Sequence, residues 1–461
     1  MIKLEQIQHI YFIGIGGIGM SALACYFHAR GAKVSGYDRT ETPLTKQLAA
    51  LGMDITYTDT EDGIPTDVQL VVYTPAVPAT HKGLEFYRAN GFAVIKRSDV
   101  LQIITEGAYN ICIAGTHGKT TITTMTGHLL RDTGFGCNAF LGGISVNYQT
   151  NFWSDPRNVC VVEADEYDRS FLKLHPDIAV ISAMDADHLD IYGTPEALEE
   201  AFIQFANQRK PGGWLISKAG LKKHDLLPKE NHITYGVEKE ADVKAHNIRM
   251  NDGTYTFDVE MKKPQSRSIQ NIHLNMGGMH NVENATVAVA VSLLLGIEEE
   301  KIKASVASFK GVKRRFEYKV HTPEQVLIDD YAHHPEELHA LISSAKALFP
   351  ERKCTVIFQP HLFSRTRDFA EGFAETLMMA DETILLPIYP ARELPMEGVS
   401  SSMLAEKMEV QRVTLLEKTE LMPWIEKYKQ QQGQPRMLIM AGAGDIDALV
   451  EPVREMLNDE C

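Results

Sequence analysis

Cysteine is sparse in this chain: six residues in 461, at Cys25, Cys112, Cys137, Cys160, Cys354 and Cys461, with no CxxC pair. That excludes a disulfide framework and leaves no zinc-ribbon spacing, so buried thiols in a reducing compartment are expected. Basic charge is short as well, since 46 Lys and Arg against 61 Asp and Glu give a net charge of −15. No nucleic-acid partner is expected, because phosphate backbones are bound by basic surface; a local basic site for a small anion stays open. Long apolar runs are missing. The longest apolar helix candidate, residues 285–297, falls short of the roughly 18 residues that a membrane span needs. The opening MIKLEQIQHIYFIGIGG sets acidic and polar residues before a glycine-broken apolar run, which is not the layout of a secretory leader. A cytoplasmic protein with no membrane partner is therefore expected. Solenoid periods, heptads and low-complexity tracts are absent too.

What is present is an α/β rhythm with room for about three domains. Its centre is NICIAGTHGKTT at residues 110–121, a short apolar strand feeding a glycine-flanked turn and then a helix with one apolar face. The first N–H groups of such a helix are unpaired and its dipole end is positive, so a polyphosphate is the natural ligand. Gly115, Thr116, His117, Gly118 and Thr121 would line that turn, Lys119 would neutralise β/γ oxygens, and Thr120 would offer a hydroxyl to magnesium. The general phosphate-loop pattern wants glycine five residues before Gly118, where Ile113 stands, so a shortened loop is implied.

A second signal lies at residues 9–38, where Gly14, Gly16 and Gly19 satisfy GxGxxG between a strand and a helix, and a second strand ends at Asp38. Alone it reads as NAD with Asp38 on a ribose hydroxyl, yet the same turn holds any diphosphate at a helix N-terminus. The turn TPAVP, beginning at Thr74, follows a strand where open α/β sheets bind ligands; its prolines equally well only stop the strand. A unit boundary is expected near residues 101–107.

Another buried strand ends in the acidic cluster EADEYD at residues 163–168. Glu163 is the candidate magnesium ligand, and the other acids read as a solvated turn with Asp165 the exception. His188 follows a third strand and is a metal or phosphate candidate. Residues 212–275 read as a small antiparallel β excursion. His280, Asn281 and Asn284 share the first turn of the next helix, where asparagine caps or reaches an adenine edge. Arg315, in GVKRRFE, could reach a γ-phosphate. In a third α/β unit Asp330, Tyr331, His333, His334, His361, Arg365 and Arg367 gather at strand ends, with zinc ranked below substrate contact or plain packing.

A hydride-transfer enzyme has no use for Lys119, Thr120 and Glu163, and a simple ATPase has none for the first glycine turn. A ligase that activates a carboxylate by phosphorylation needs all of them. The chain resembles the Mur ligase family over essentially its whole length. The likeness rests on IGIGGIGMS at 13–21, GTHGKTT at 115–121, EADEYDRSF at 163–171, DADHLDIYG at 185–193, GMHNVENA at 278–285, GVKRRFE at 311–317, DDYAHHP at 329–335 and FQPHLFSRTRD at 358–368.

The resemblance implies three α/β domains, at 1–104, 105–312 and 313–461: a Rossmann-like UDP-binding domain, a central ATPase and a C-terminal Rossmann-like domain. It also implies UDP-N-acetylmuramate, L-alanine and ATP as partners, with magnesium or a substituting manganese, in a monomer or weak homodimer. Gly14, Gly16, Gly17, Gly19, Ser21, Asp38 and Thr74 would meet the UDP-sugar. Lys119, Glu163, His188 and Arg315 would serve catalysis, with Thr120, Glu163 and His188 on the metal. The nucleotide would also meet residues 115–121, His280, Asn281, Asn284, Arg315 and Asp330. Tyr331, His333, His361, Arg365 and Arg367 would hold the amino acid.

Related members carry a modified lysine about fifteen residues after the histidine at 188; AFIQ at 201–204 stands there, and the alanine-adding branch resembles this chain in lacking it. That branch has a basic residue directly after His361, where this chain has Leu362. Rival readings are a murein tripeptide ligase, an NAD-dependent dehydrogenase and a non-catalytic nucleotide sensor.

Overall fold

The computed structural model describes residues 4–60, 63–185, 189–391, 393–409, 412–430 and 433–458. His188 and Cys461 lie outside the described residues. The remaining cysteines are free, and all but the half-buried Cys25 are buried. Among the described residues no helix is long and apolar enough to cross a membrane. By internal packing the chain divides into two compact units. One comprises Met1–His246, Phe257–Ile272 and Glu283–Phe309, and the other Asn247–Thr256, His273–Val282 and Lys310–Cys461.

The first unit opens with five parallel strands, β1 (His9–Ile13), β2 (Lys33–Tyr37), β3 (Asp54–Thr56), β4 (Leu70–Tyr73) and β5 (Val94–Lys96), in the order β3-β2-β1-β4-β5. Chain order reverses between β1 and β4, the point at which open α/β sheets leave a ligand crevice beyond their carboxyl ends. Both Gly14 and Thr74 stand there. Residues 101–106 form the end of a helix, Arg97–Glu106, that leads straight into the next sheet.

That sheet contains β6 (Tyr109–Ala114), β7 (Asn138–Ser145), β8 (Thr150–Trp153), β9 (Val159–Glu163), β10 (Ile178–Ile181), β11 (Trp214–Lys218), β12 (His232–Gly236), β13 (Val243–Asn251), β14 (Thr254–Met261) and β15 (Arg267–Leu274), ordered β15-β14-β13-β12-β11-β10-β6-β9-β7-β8. Within residues 212–275, β11 and β12 run parallel to their neighbours. The antiparallel part begins only with β13 and β14, joined by Asp252 and Gly253, a connection too short for a parallel pair. Central β6 is flanked by β9 and β10, and its residues Ile111 to Ala114 are wholly buried, as an apolar run in a parallel sheet must be.

The helix after it, Lys119–Asp132, is buried all round from Thr120 to Leu130 rather than on one face. Threonines make this possible. The Thr123 and Thr124 hydroxyls donate at 2.7 Å to the carbonyls of Lys119 and Thr120 four residues back, so these two polar groups are paired within the helix.

The second unit carries β16 (Glu317–His321), β17 (Gln325–Asp330), β18 (Lys353–Phe358), β19 (Glu382–Leu385), β20 (Val413–Leu415) and β21 (Arg436–Ala441), ordered β16-β17-β21-β18-β19-β20. Among the described residues of this sheet, only β16 pairs antiparallel. Strand ends after β17, β18 and β21 therefore face the same edge.

Candidate active site

In the first unit, the turn after β6 is held in a conformation that few residues adopt. Gly115 has φ +132, and a Cβ there would stand 2.3 Å from the Ser182 Oγ. Ser182, just past β10, donates to the carbonyls of Ala114 and His117. Thr116 is buried and its hydroxyl accepts from the Asp185 N–H. His117 is exposed, 3.8 Å from Asp185. Gly118, φ +81, caps the helix with no side chain, and Asn284 presses against it, its Oδ1 2.9 Å from where a Cβ would be. The N-terminal amides of a buried helix thus open on a glycine turn, the arrangement an anion needs. Thr121 is buried in its first turn.

Lys119 donates to the Glu166 carboxylate at 2.7 Å and to the Gly115 carbonyl at 2.8 Å. Glu166 is fully buried, against the expectation of a solvated acidic turn. Burial pushes its carboxyl up from the ordinary value, and the Lys119 ammonium opposes that rise. The sequence signal was available, since Glu166 sits three residues after Glu163, but composition alone does not separate a solvated acid from a paired one.

Glu163 ends β9 opposite Ile113. Its carboxylate accepts from the Thr120 hydroxyl at 3.1 Å and from the Gly142 N–H at 3.1 Å. Two of the three residues expected from sequence on magnesium, Thr120 and Glu163, are therefore in contact, and the third, His188, lies outside the described residues.

The other glycine turn follows β1. A Cβ on Gly14, φ +87, would meet the Thr74 Cγ2 at 2.6 Å, so the close approach of the two strand ends requires glycine. Asp38 receives the Gly16 N–H at 2.7 Å and braces the turn. Gly17 caps the helix Ile18–Ala29. Ser21 is fully buried, donating to the Ile18 carbonyl and accepting from Asn151, and so has no surface to offer a ligand. Arg97, which no sequence motif marked, lays its guanidinium over this helix start, Nη1 2.6 Å from where a Cβ on Gly19 would stand. A cleft of about 390 Å³ is lined by Gly17, Gly19, Thr74, Arg97, Glu163 and Asp165, among others. One cavity thus joins the diphosphate-type turn to the carboxylate beside the phosphate loop.

In the second unit, Asn281 is buried and donates to the Gly277 carbonyl, while His280 is exposed. Arg315 is exposed; its neighbour Arg314 instead ties the unit together, reaching Asp329 and the Gly442 carbonyl. Asp330 accepts the Phe316 and Ala332 amides at 2.7 and 2.8 Å, and burial pushes its carboxyl up to about 6. Tyr331 is exposed.

His333 and His361 meet edge to face at 5.9 Å, and the His361 ring lies nearly parallel to that of Tyr389. Arg365 donates to the His361 Nδ1 at 3.3 Å. Burial, then the nearby Arg365 and His333, pull His361 down to about 4, so it stays neutral. Arg367 pairs with Asp368 near the surface. His334 caps the helix Pro335–Leu348. Leu362 adopts φ +70, its N–H held by the Tyr389 carbonyl. Two histidines and an arginine thus meet at one strand edge, and a guanidinium is the side chain best matched to a small carboxylate.

A phosphate loop with a carboxylate one strand away, sharing a cleft with a second glycine turn, defines a phosphate-loop enzyme that carries an added nucleotide-type domain. Three family models match in succession: the Mur ligase family, catalytic domain, over residues 9–109; the Mur ligase middle domain over 113–292; and the Mur ligase, glutamate ligase domain over 314–444. The chain belongs to the Mur ligase family. It is 46% identical to a UDP-N-acetylmuramate–L-alanine ligase of Christiangramia forsetii over the whole of both chains. With a ligase of the same name from Parabacteroides distasonis the identity is 47%, over 99% of this chain and 98% of the relative. The solved UDP-N-acetylmuramate–alanine ligase of Thermotoga maritima matches with a TM-score of 0.80 at 28% identity, covering 98% of this chain and 99% of that one. The α/β fold and the family expected from the motifs both hold.

Proposed function

We propose that the chain is an ATP-dependent ligase that joins L-alanine to the lactyl carboxylate of UDP-N-acetylmuramate, releasing ADP and phosphate, in cytoplasmic peptidoglycan precursor synthesis. Full-length identity to ligases of that name supports the reading. The observation that carries the site is the cleft lined both by Gly17 and Gly19 and by Glu163. A UDP-sugar whose diphosphate rests on the helix start would extend its acid toward the phosphate loop. The domains are proposed as 1–104, 105–312 and 313–461.

The carboxylate attacks the γ-phosphate of ATP, ADP leaves, and an acyl phosphate forms. Such a transfer needs positioning and charge neutralisation more than covalent help. Lys119 and Arg315 supply cationic groups, and Asn284, beside the loop, contacts the nucleotide. Arg365 and His361 hold the amino-acid carboxylate, and its amine displaces phosphate from the acyl carbon. A hydroxyl and a carboxylate 3.1 Å apart fit magnesium, which prefers oxygen and keeps several waters; Thr120 and Glu163, with His188, would hold it. The chemistry such an ion would supply there is neutralisation of the charge on the transferring phosphoryl group.

A substrate-omission assay tests the reading: phosphate release should require ATP, UDP-N-acetylmuramate and L-alanine together. Turnover with a murein tripeptide but not with alanine would favour the recycling ligase. Hydride transfer to NAD would favour the dehydrogenase.

A further inference from the structure

Alanine's amine arrives protonated at neutral pH, and an ammonium has no lone pair with which to attack a carbonyl. Some group must take its proton. The two histidines of the second unit differ in a way that assigns this task.

The His361 Nδ1 accepts an N–H from Arg365, so its lone pair there is occupied and its proton sits on Nε2. A cation at that distance also disfavours any second proton. The His333 Nδ1 lies 2.9 Å from the Tyr331 carbonyl and 3.3 Å from the Glu337 carboxylate. Both partners only accept, so Nδ1 carries the proton and Nε2 keeps a free lone pair. Glu337 then stabilises the imidazolium that forms when Nε2 is protonated, while Tyr331 fixes the ring.

We propose that His333 is the general base that deprotonates the α-ammonium of the incoming amino acid, with Glu337 as its positioning residue. This rests on the ligase reading above. The Nε2 lone pair takes one proton from the ammonium. The freed amine forms the C–N bond at the acyl carbon, the C–O bond to phosphorus breaks, and the departing phosphate takes the second nitrogen-bound proton. Burial pulls His333 below its ordinary range, opposed by Glu337 and the Tyr331 carbonyl and aided by the cations Arg365 and Arg315; with neutral His361 these are the groups that face it. An imidazole so placed is unprotonated at neutral pH and ready to accept.

Hydroxylamine separates this role from binding or folding, because it is already unprotonated at neutral pH and traps the acyl phosphate as a hydroxamate. In His333→Gln, kcat/KM for L-alanine should fall by roughly 10²- to 10⁴-fold, the usual worth of a general base, while hydroxamate formation from UDP-N-acetylmuramate and ATP continues at the wild-type rate. In Glu337→Gln, the acid limb of kcat/KM for alanine should move to lower pH, because the imidazolium loses its counter-charge. Equal loss of alanine and hydroxylamine reactions in His333→Gln, or an unmoved acid limb in Glu337→Gln, overturns the proposal. Absence of hydroxamate in the wild type would bring down the ligase reading itself.

Discussion

The Lys119 ammonium and the Glu166 carboxylate form an ion pair at 2.7 Å in which the acid is fully buried and the lysine nearly so. Such a pair is costly to break from one side, about 3–5 kcal/mol, because the partner is left charged and dry. Lys119→Ala should therefore both abolish turnover and destabilise the protein. The double variant Lys119→Met with Glu166→Gln should recover much of the stability and none of the turnover. Binding of UDP-N-acetylmuramate, measured calorimetrically in the folded double variant, should stay close to wild type. Loss of that binding would count against separate sites for the sugar nucleotide and ATP.

Glu163 serves two neighbours, the Thr120 hydroxyl and the Gly142 amide. Glu163→Gln keeps one oxygen to accept the Gly142 N–H and turns an amide NH2 toward the Thr120 hydroxyl, which can accept as well as donate, while the charge is removed. The fold should persist while the magnesium concentration for half-maximal rate rises at least roughly tenfold, as for other losses around a metal site. An unchanged magnesium titration would remove Glu163 from the metal.

Arg97 offers a charged donor over the helix start at Gly19. Hydrogen bonds to charged groups contribute about 1.5–3 kcal/mol, which is roughly ten- to 150-fold in affinity. Arg97→Met should raise KM for UDP-N-acetylmuramate by that factor and leave KM for ATP unchanged. Equal effects on both substrates would mean that the arginine only supports the fold.

Periodicity and turn chemistry carried the fold far: strands β2 and β4 fall at the residues that alternation and apolar runs mark, and the glycines at 14, 115 and 118 mark real left-handed turns. Thr120 and Glu163 were legible for the same reason, since each sits at the end of a regular element. Glu166 and Arg97 were not, because their roles depend on which strand or helix lies opposite, and that is fixed by sheet order rather than by local pattern. The all-round burial from Thr120 to Leu130 was hidden by the threonines, which read as a polar face until the Thr123 and Thr124 hydroxyls are seen to bond back along the helix. Tyr389 and Glu337 escaped notice because each acts on a histidine whose importance the sequence announced without saying what held it.

Asp329, at the end of β17, is buried beside Arg314, and burial, opposed by that arginine and more weakly by Lys319 and reinforced by the nearby Glu317 and Asp330, pushes its carboxyl up to about 7. The sign of the consequence follows from linkage. Below about pH 4 the carboxyl is protonated folded and unfolded, and it costs nothing. Between about pH 4 and pH 7 the unfolded chain releases the proton while the folded chain keeps it, so stability falls as pH rises and levels off above the folded value. A shift of this size amounts to a few kcal/mol at about 1.4 kcal/mol per unit. Other carboxylates titrate in the same range, so the diagnostic quantity is the difference between wild type and Asp329→Asn in urea unfolding at several pH values. Losing the partner of Arg314 adds a constant, because the guanidinium does not titrate there. The wild type should lose ground to the variant steadily from about pH 4 to 7 and hold a fixed difference beyond. A difference independent of pH would show that Asp329 is ionised throughout, held by Arg314 against the cost of burial.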